Sequence, residues 1–164
     1  MRFVAALIIA MLSLSAAHAA EQDHGTWSTF CWVADWGDPP CHISKEMRSD
    51  KDEMVRLTFS RNRKGETVLH VQVPSTQSDV ASGDLTFKVD ALELLHIVNP
   101  VCEEGECTYS QSLAAQDLEK ILAGDVVMLR DPVAKQKRLW YGLDLSGLRE
   151  ALTSADQKLK LLHP

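Results

Sequence analysis

Between residues 54 and 73 the apolar side chains fall on every second position, and that period leaves the segment little choice but a β-sheet. Val55, Leu57 and Phe59 alternate with Arg56, Thr58 and Ser60, while Leu69, Val71 and Val73 alternate with His70 and Gln72. Successive side chains of a strand point to opposite faces, so each run buries one face and wets the other. Wound at 3.6 residues per turn, the same residues would scatter around a helix axis. Asn62-Arg63-Lys64-Gly65 supplies turn chemistry between the runs, so 54–61 and 67–73 read as a hairpin. Leu85, Phe87 and Val89 repeat the pattern, and 92–98, apolar on both faces, reads as a central strand. Further strands are expected at 26–33, 42–47, 107–111, 126–130 and 139–144.

Two short helices interrupt the strands. The first starts at Ser112 or Ala114, carries Leu118, Ile121 and Leu122 on one face, and stops at Gly124, where a C-cap belongs. The second takes Ser146 as its N-cap, with Leu148, Ala151, Leu152 and Ala155 on one face, and frays after Asp156. Many short strands separated by Gly, Pro and Asx turns point to an all-β chain folded as an antiparallel sandwich or barrel.

The N-terminus reads as an address. Arg2 precedes an apolar run from Phe3 to Leu14, and Ala17-His18-Ala19 fits the small-residue pattern cut by signal peptidase. A bilayer core needs about 20 apolar residues, so the run is too short for an anchor. Residues 1–19 are therefore expected to be a cleavable signal peptide and 20–164 a single exported domain with no transmembrane anchor. The chain is acidic, with 17 Lys+Arg against 23 Asp+Glu and a formal net charge of −6. It has no basic stripe interleaved with aromatics, which argues against a nucleic-acid partner.

Export decides how the cysteines are read. Four cysteines allow three pairings. Spacing favours the local ones. Cys31 and Cys41 bracket the turn-rich Trp36-Gly37-Asp38-Pro39-Pro40, and Cys102 and Cys107 bracket a short loop bent at Gly105. Each such bond contributes about 2–3 kcal/mol by loop entropy. A zinc site from the thiols with His42 or His96 is the competing reading. Neither spacing is C-x-x-C, and an oxidising compartment favours disulfides over metal or redox chemistry.

These residues carry a family resemblance. Gly25-x-Trp27-x-x-x-Cys31 is followed by Cys41 and alternating strands that end near Pro74. Val101-Cys102-x-x-x-x-Cys107 runs into the Leu/Ala-rich segment 112–124. Leu143-Asp-Leu145-Ser-Gly147-Leu-Arg-Glu-Ala151-Leu closes the chain. Together they resemble the invasion-associated locus B family of bacterial exported proteins, over about residues 25 to 152. The resemblance implies an immunoglobulin-like β-sandwich in the periplasm, secreted or on the outer surface, without assigned enzymatic activity and with virulence-linked host-cell entry in some members. It carries over no catalytic residues.

The search for chemistry agrees. His24, His42, His70, His96 and His163 are scattered without metal-ligand spacing, and no G-x-S-x-G elbow, Walker loop or EF-hand loop is present. No catalytic residue, metal or cofactor is expected. His70 reads as a solvated histidine, and Glu103, Glu104 and Glu106 as a solvated hairpin tip. Core packing is expected to take Trp27 and Trp32. Trp36, with Asp35 and Asp38 in the disulfide-closed loop, is the candidate binding anchor for a protein partner in the envelope or on a host surface. The alternative is a small periplasmic hydrolase, or an inhibitor of an envelope enzyme, marked by a deep cleft where His70 or His96 meets a carboxylate.

Overall fold

A computed structural model describes residues 22–24, 27–32, 41–48, 54–62, 64–74, 84–130 and 140–162. Eleven strands and two helices follow one another among them: β1 (Gln22–His24), β2 (Trp27–Cys31), β3 (Cys41–Arg48), β4 (Met54–Arg61), β5 (Thr67–Pro74), β6 (Leu85–Val89), β7 (Leu92–Ile97), β8 (Val101–Glu103), β9 (Glu106–Leu113), α1 (Ala115–Ala123), β10 (Val126–Arg130), β11 (Trp140–Asp144) and α2 (Leu148–Leu162). They form a seven-stranded sheet ordered β1-β2-β3-β4-β5-β9-β8 and a four-stranded sheet ordered β11-β10-β6-β7. Every pairing is antiparallel. The fold is an immunoglobulin-like β-sandwich and not a closed barrel.

The core is the apolar phase of the alternation. Trp27, Ile43, Val55, Leu57, Phe59, Leu69, Val71 and Tyr109 from the large sheet meet Leu85, Phe87, Ile97, Val127, Leu129 and Leu143 from the small one. Trp27 and Phe59 pack as tilted rings with centroids 5.8 Å apart. The β4–β5 turn is closed by Asn62, whose side-chain oxygen accepts from the backbone N–H groups of Lys64 and Glu66, and Gly65 takes the left-handed conformation there (φ 79°).

The seven-stranded sheet is wider than its partner, and α2 makes up the difference. The helix packs on β1, β2 and β3, while β11 approaches β3 and β7 approaches β9. Leu148, Ala151, Leu152 and Ala155 form its buried face, the two alanines allowing close approach to the sheet. Arg61 at the end of β4 holds the helix with a two-pronged pair to Asp156 (Nε–Oδ1 2.7 Å, Nη2–Oδ2 3.1 Å) and donates its third nitrogen to Thr67 Oγ1 at 2.8 Å.

Several expectations change. The segment at 92–98 is an edge strand: Leu92 is 74% exposed, and a register shift between Phe87 and Lys88 places Leu95 opposite Phe87 but Glu93 opposite Lys88. Ser146 does not cap α2; its hydroxyl donates to Asp144 Oδ2 at 2.6 Å, and the first helical turn is closed by Ala151 N–H on the Gly147 carbonyl. The chain stays helical past Asp156 to Leu162. Gly124 ends α1 without left-handed backbone (φ −92°). Its need is space, since a Cβ there would stand 2.1 Å from Val89 Cγ1. The short loop between Cys102 and Cys107 is, as expected, bent at Gly105 (φ 90°), with Glu104 (φ 47°) beside it, and forms the tip of the tight β8–β9 hairpin.

Candidate binding face

Both cysteine pairs are disulfides, Cys31–Cys41 and Cys102–Cys107. Each joins residues opposite one another on neighbouring strands, β2 with β3 and β8 with β9. The first is buried under α2, where Cys41 Sγ lies 3.9 Å from the Ala155 carbonyl oxygen. Trp36, Asp35 and Asp38, the binding anchor expected from sequence, lie outside the described residues, as does His163.

The polar phase of the same strands builds a surface that the sequence reading left unclaimed. Cross-strand register sets it out in three rows. Phe30, His42 and Ser60 stand opposite one another on β2, β3 and β4. Ser28, Ser44, Thr58, His70 and Ser110 form the next row across β2, β3, β4, β5 and β9. Glu46, Arg56, Gln72 and Thr108 form the third. All of these but Ser60, which is buried, and Ser110 line an open trough of about 770 Å³ on the outer face of the seven-stranded sheet.

The two ends of the trough differ in chemistry. At one, Phe30 and Trp32 meet edge to face with centroids 5.3 Å apart, and Trp32 meets the His42 ring the same way at 4.6 Å. Both aromatic residues are 38% exposed, so Trp32 belongs to this outer face and not to the core. Even-numbered positions on β2 and just beyond it point outward, whereas Trp27 has the opposite phase and is buried. At the other end Arg56 donates Nε and Nη2 to one oxygen of Glu46, at 2.9 and 2.5 Å. The two charges cancel locally.

Between them lie two half-buried imidazoles. His70 Nδ1 is 2.8 Å from Ser110 Oγ, and His42 Nδ1 is 3.4 Å from Ser60 Oγ. Burial lowers the pKa of His42 below the ordinary histidine value, and the charge of His70 pushes it further the same way; burial also lowers His70. Both rings are thus neutral at neutral pH, each with one donor and one acceptor nitrogen. Lys45 belongs to the inner side. Its ammonium donates to the Asp144 carbonyl at 2.6 Å and lies 5.4 Å from the centre of the Trp27 ring. Its pKa is lowered by desolvation against the opposing pull of Asp144.

Elsewhere His96 pairs with Asp84 at 2.8 Å, but both side chains are about half exposed and lie on the small sheet's edge, not in a cleft. Glu103, Glu104 and Glu106 are exposed at the β8–β9 tip, as expected. Among the described residues no three His, Cys, Asp or Glu side chains stand together as metal donors, and no helix is long and apolar enough to cross a membrane. The signal that could have found the trough was present in the sequence: Phe30, His42, Arg56 and His70 all sit on the outward phase of their strands.

An antiparallel immunoglobulin-like sandwich, stapled at two neighbouring-strand positions and carrying an open polar face, defines the class. Within it, the chain belongs to the invasion associated locus B (IalB) family, whose model matches residues 27–156. The crystal structure of invasion associated protein b from Bartonella henselae superposes with a TM-score of 0.67 at 19% identity, covering 85% of this chain and 99% of that one. A search of curated proteins gives no match. The disulfides fit an extracytoplasmic location.

Proposed function

We propose that this chain is a periplasmic or surface-associated binding module that engages a component of the cell envelope or of a host surface through the outer face of its large sheet. The observation that carries the reading is the trough itself. Aromatic side chains remain exposed beside short polar ones on five adjacent strands. The volume falls within the range of about 300–1,000 Å³ typical of ligand sites. Membership in the invasion-associated family supports a role at the bacterial surface, including host-cell entry.

A hydrolase reading finds its best support in the Ser110–His70 contact. A nucleophile–base pair needs a third group to orient the imidazole and donors to hold an oxyanion. Among the described residues no carboxylate bonds His70, and the backbone N–H groups around it belong to the β4–β5–β9 ladders. The binding reading is the stronger.

Photo-crosslinking amino acids placed at Gln72 or Thr108 test it in intact cells, with Glu119 on the far helix α1 as the control position. Adducts specific to the two trough positions are expected. Equal labelling from all three positions, or none from the trough, would count against the trough as the working surface.

A further inference from the structure

Resting on the trough as the binding surface, we infer that it takes a neutral saccharide. Three features converge on that ligand class. First, the Phe30–Trp32 pair at the rim offers exposed aromatic surface. Pyranose rings have apolar C–H faces that stack on such rings, while their hydroxyls need in-plane partners. Second, the trough is rich in groups that both donate and accept: the hydroxyls of Ser44, Thr58 and Thr108 and the Gln72 amide, joined by the one ring nitrogen of each imidazole that does not face a serine. A polyol is the ligand that uses both capacities at many closely spaced points. Third, the surface is electrically balanced. Arg56 is neutralised by Glu46, Lys45 spends its ammonium on an inner carbonyl, and His42 and His70 are uncharged at neutral pH.

The same features turn away other ligand classes. A phosphorylated or nucleic-acid ligand needs uncommitted cations, and the guanidinium here is already paired. An extended peptide binds by adding a strand to a sheet edge, whereas β3, β4 and β5 have neighbours on both sides. An acyl chain needs a continuous apolar groove, and here hydroxyls, imidazoles, an amide and the Glu46–Arg56 pair interrupt the surface beside Phe30.

The test titrates the oxidised, signal-free protein with neutral and anionic oligosaccharides, read by calorimetry and by tryptophan fluorescence. Two neutral arms distinguish the source: β-1,4-linked N-acetylglucosamine oligomers represent wall-type glycan, and galactose-terminated lacto-oligosaccharides represent cell-surface glycan. Sialylated and sulfated sugars form the anionic arm. Saturable binding of at least one neutral arm is expected. It should weaken at least tenfold in Trp32→Ala and in Gln72→Ala, with unchanged melting temperature, and be unaffected by Glu119→Ala. Binding confined to the anionic arm, no saturable binding to any arm, or equal loss in the Glu119→Ala control would overturn the inference. If saccharide binding is absent while trough-specific crosslinks persist, the ligand class is wrong and the binding surface stands. If both are absent, the surface falls as well.

Discussion

His42 and His70 give the outer face a response to acid whose sign follows from burial. Each has a folded-state pKa below its unfolded value, with desolvation as the leading cause and the charge of His70 adding to it at His42. The unfolded chain therefore binds protons first as pH falls. The stability these neutral rings contribute is fully present above the ordinary histidine value of about 6.5 and is lost progressively down to their lowered folded values. Thermal melts between pH 7.5 and 4.5 should show the melting temperature falling below about pH 6.5. In a His42→Gln, His70→Gln double variant that part of the fall should flatten, leaving the carboxylate-driven part at lower pH. Parallel curves for the two proteins would show that these rings do not carry the effect. Neither ring's environment could be read from the sequence. Period two places a histidine on the outward face, but whether that face is bulk water or a half-buried trough depends on its neighbours four strands across.

At the scale of elements, the strands were legible because their signal is local, and the departures occur where a distant contact outweighs it. The β4–β5 hairpin lies where the alternation and the turn chemistry of Asn62 and Gly65 place it. The local cysteine pairing favoured by spacing is the one formed. β7 departs from the central strand that Leu92, Leu94 and Leu95 suggest, because its register shift against β6 breaks the alternation. Gly124 shows how the right position can be found for the wrong reason. A C-cap glycine is ordinarily kept for its left-handed backbone, but here φ is −92° and Val89 of β6 occupies the space that a Cβ would need. Gly124→Ala should therefore destabilise by about 1–3 kcal/mol through overpacking. The diagnostic measurement is a double-mutant cycle in urea. Val89→Ala empties the contested space, so the pair Val89→Ala, Gly124→Ala should cost clearly less than the sum of the single variants. Strict additivity would return the explanation to backbone conformation.

Considered whole, the molecule divides its stability and its proposed function between the two sides of the same strands. On the inner side of β2 and β3, Trp27, Cys31, Cys41 and Ile43 are buried, with α2 covering the part of the large sheet that the four-stranded sheet does not reach. On the outer side, one residue out of phase, stand Phe30, His42 and Ser44. Period two thus lets a core change and a surface change sit next to each other in sequence and act on different properties. Leu152, buried on α2, tests this separation. Leu152→Ala removes side-chain volume from the helix–sheet contact and should cost about 2–4 kcal/mol in chemical denaturation, because the surrounding strands are fixed by their ladders and collapse only partly into the gap. Crosslinking and saccharide affinity through the trough should survive unchanged at temperatures where the variant remains folded. Trp32→Ala should do the reverse, sparing stability and losing affinity. If Leu152→Ala weakens binding tenfold while still folded, the two faces are mechanically coupled through β2 and β3, and α2 is part of the binding device as well as a cover for the core.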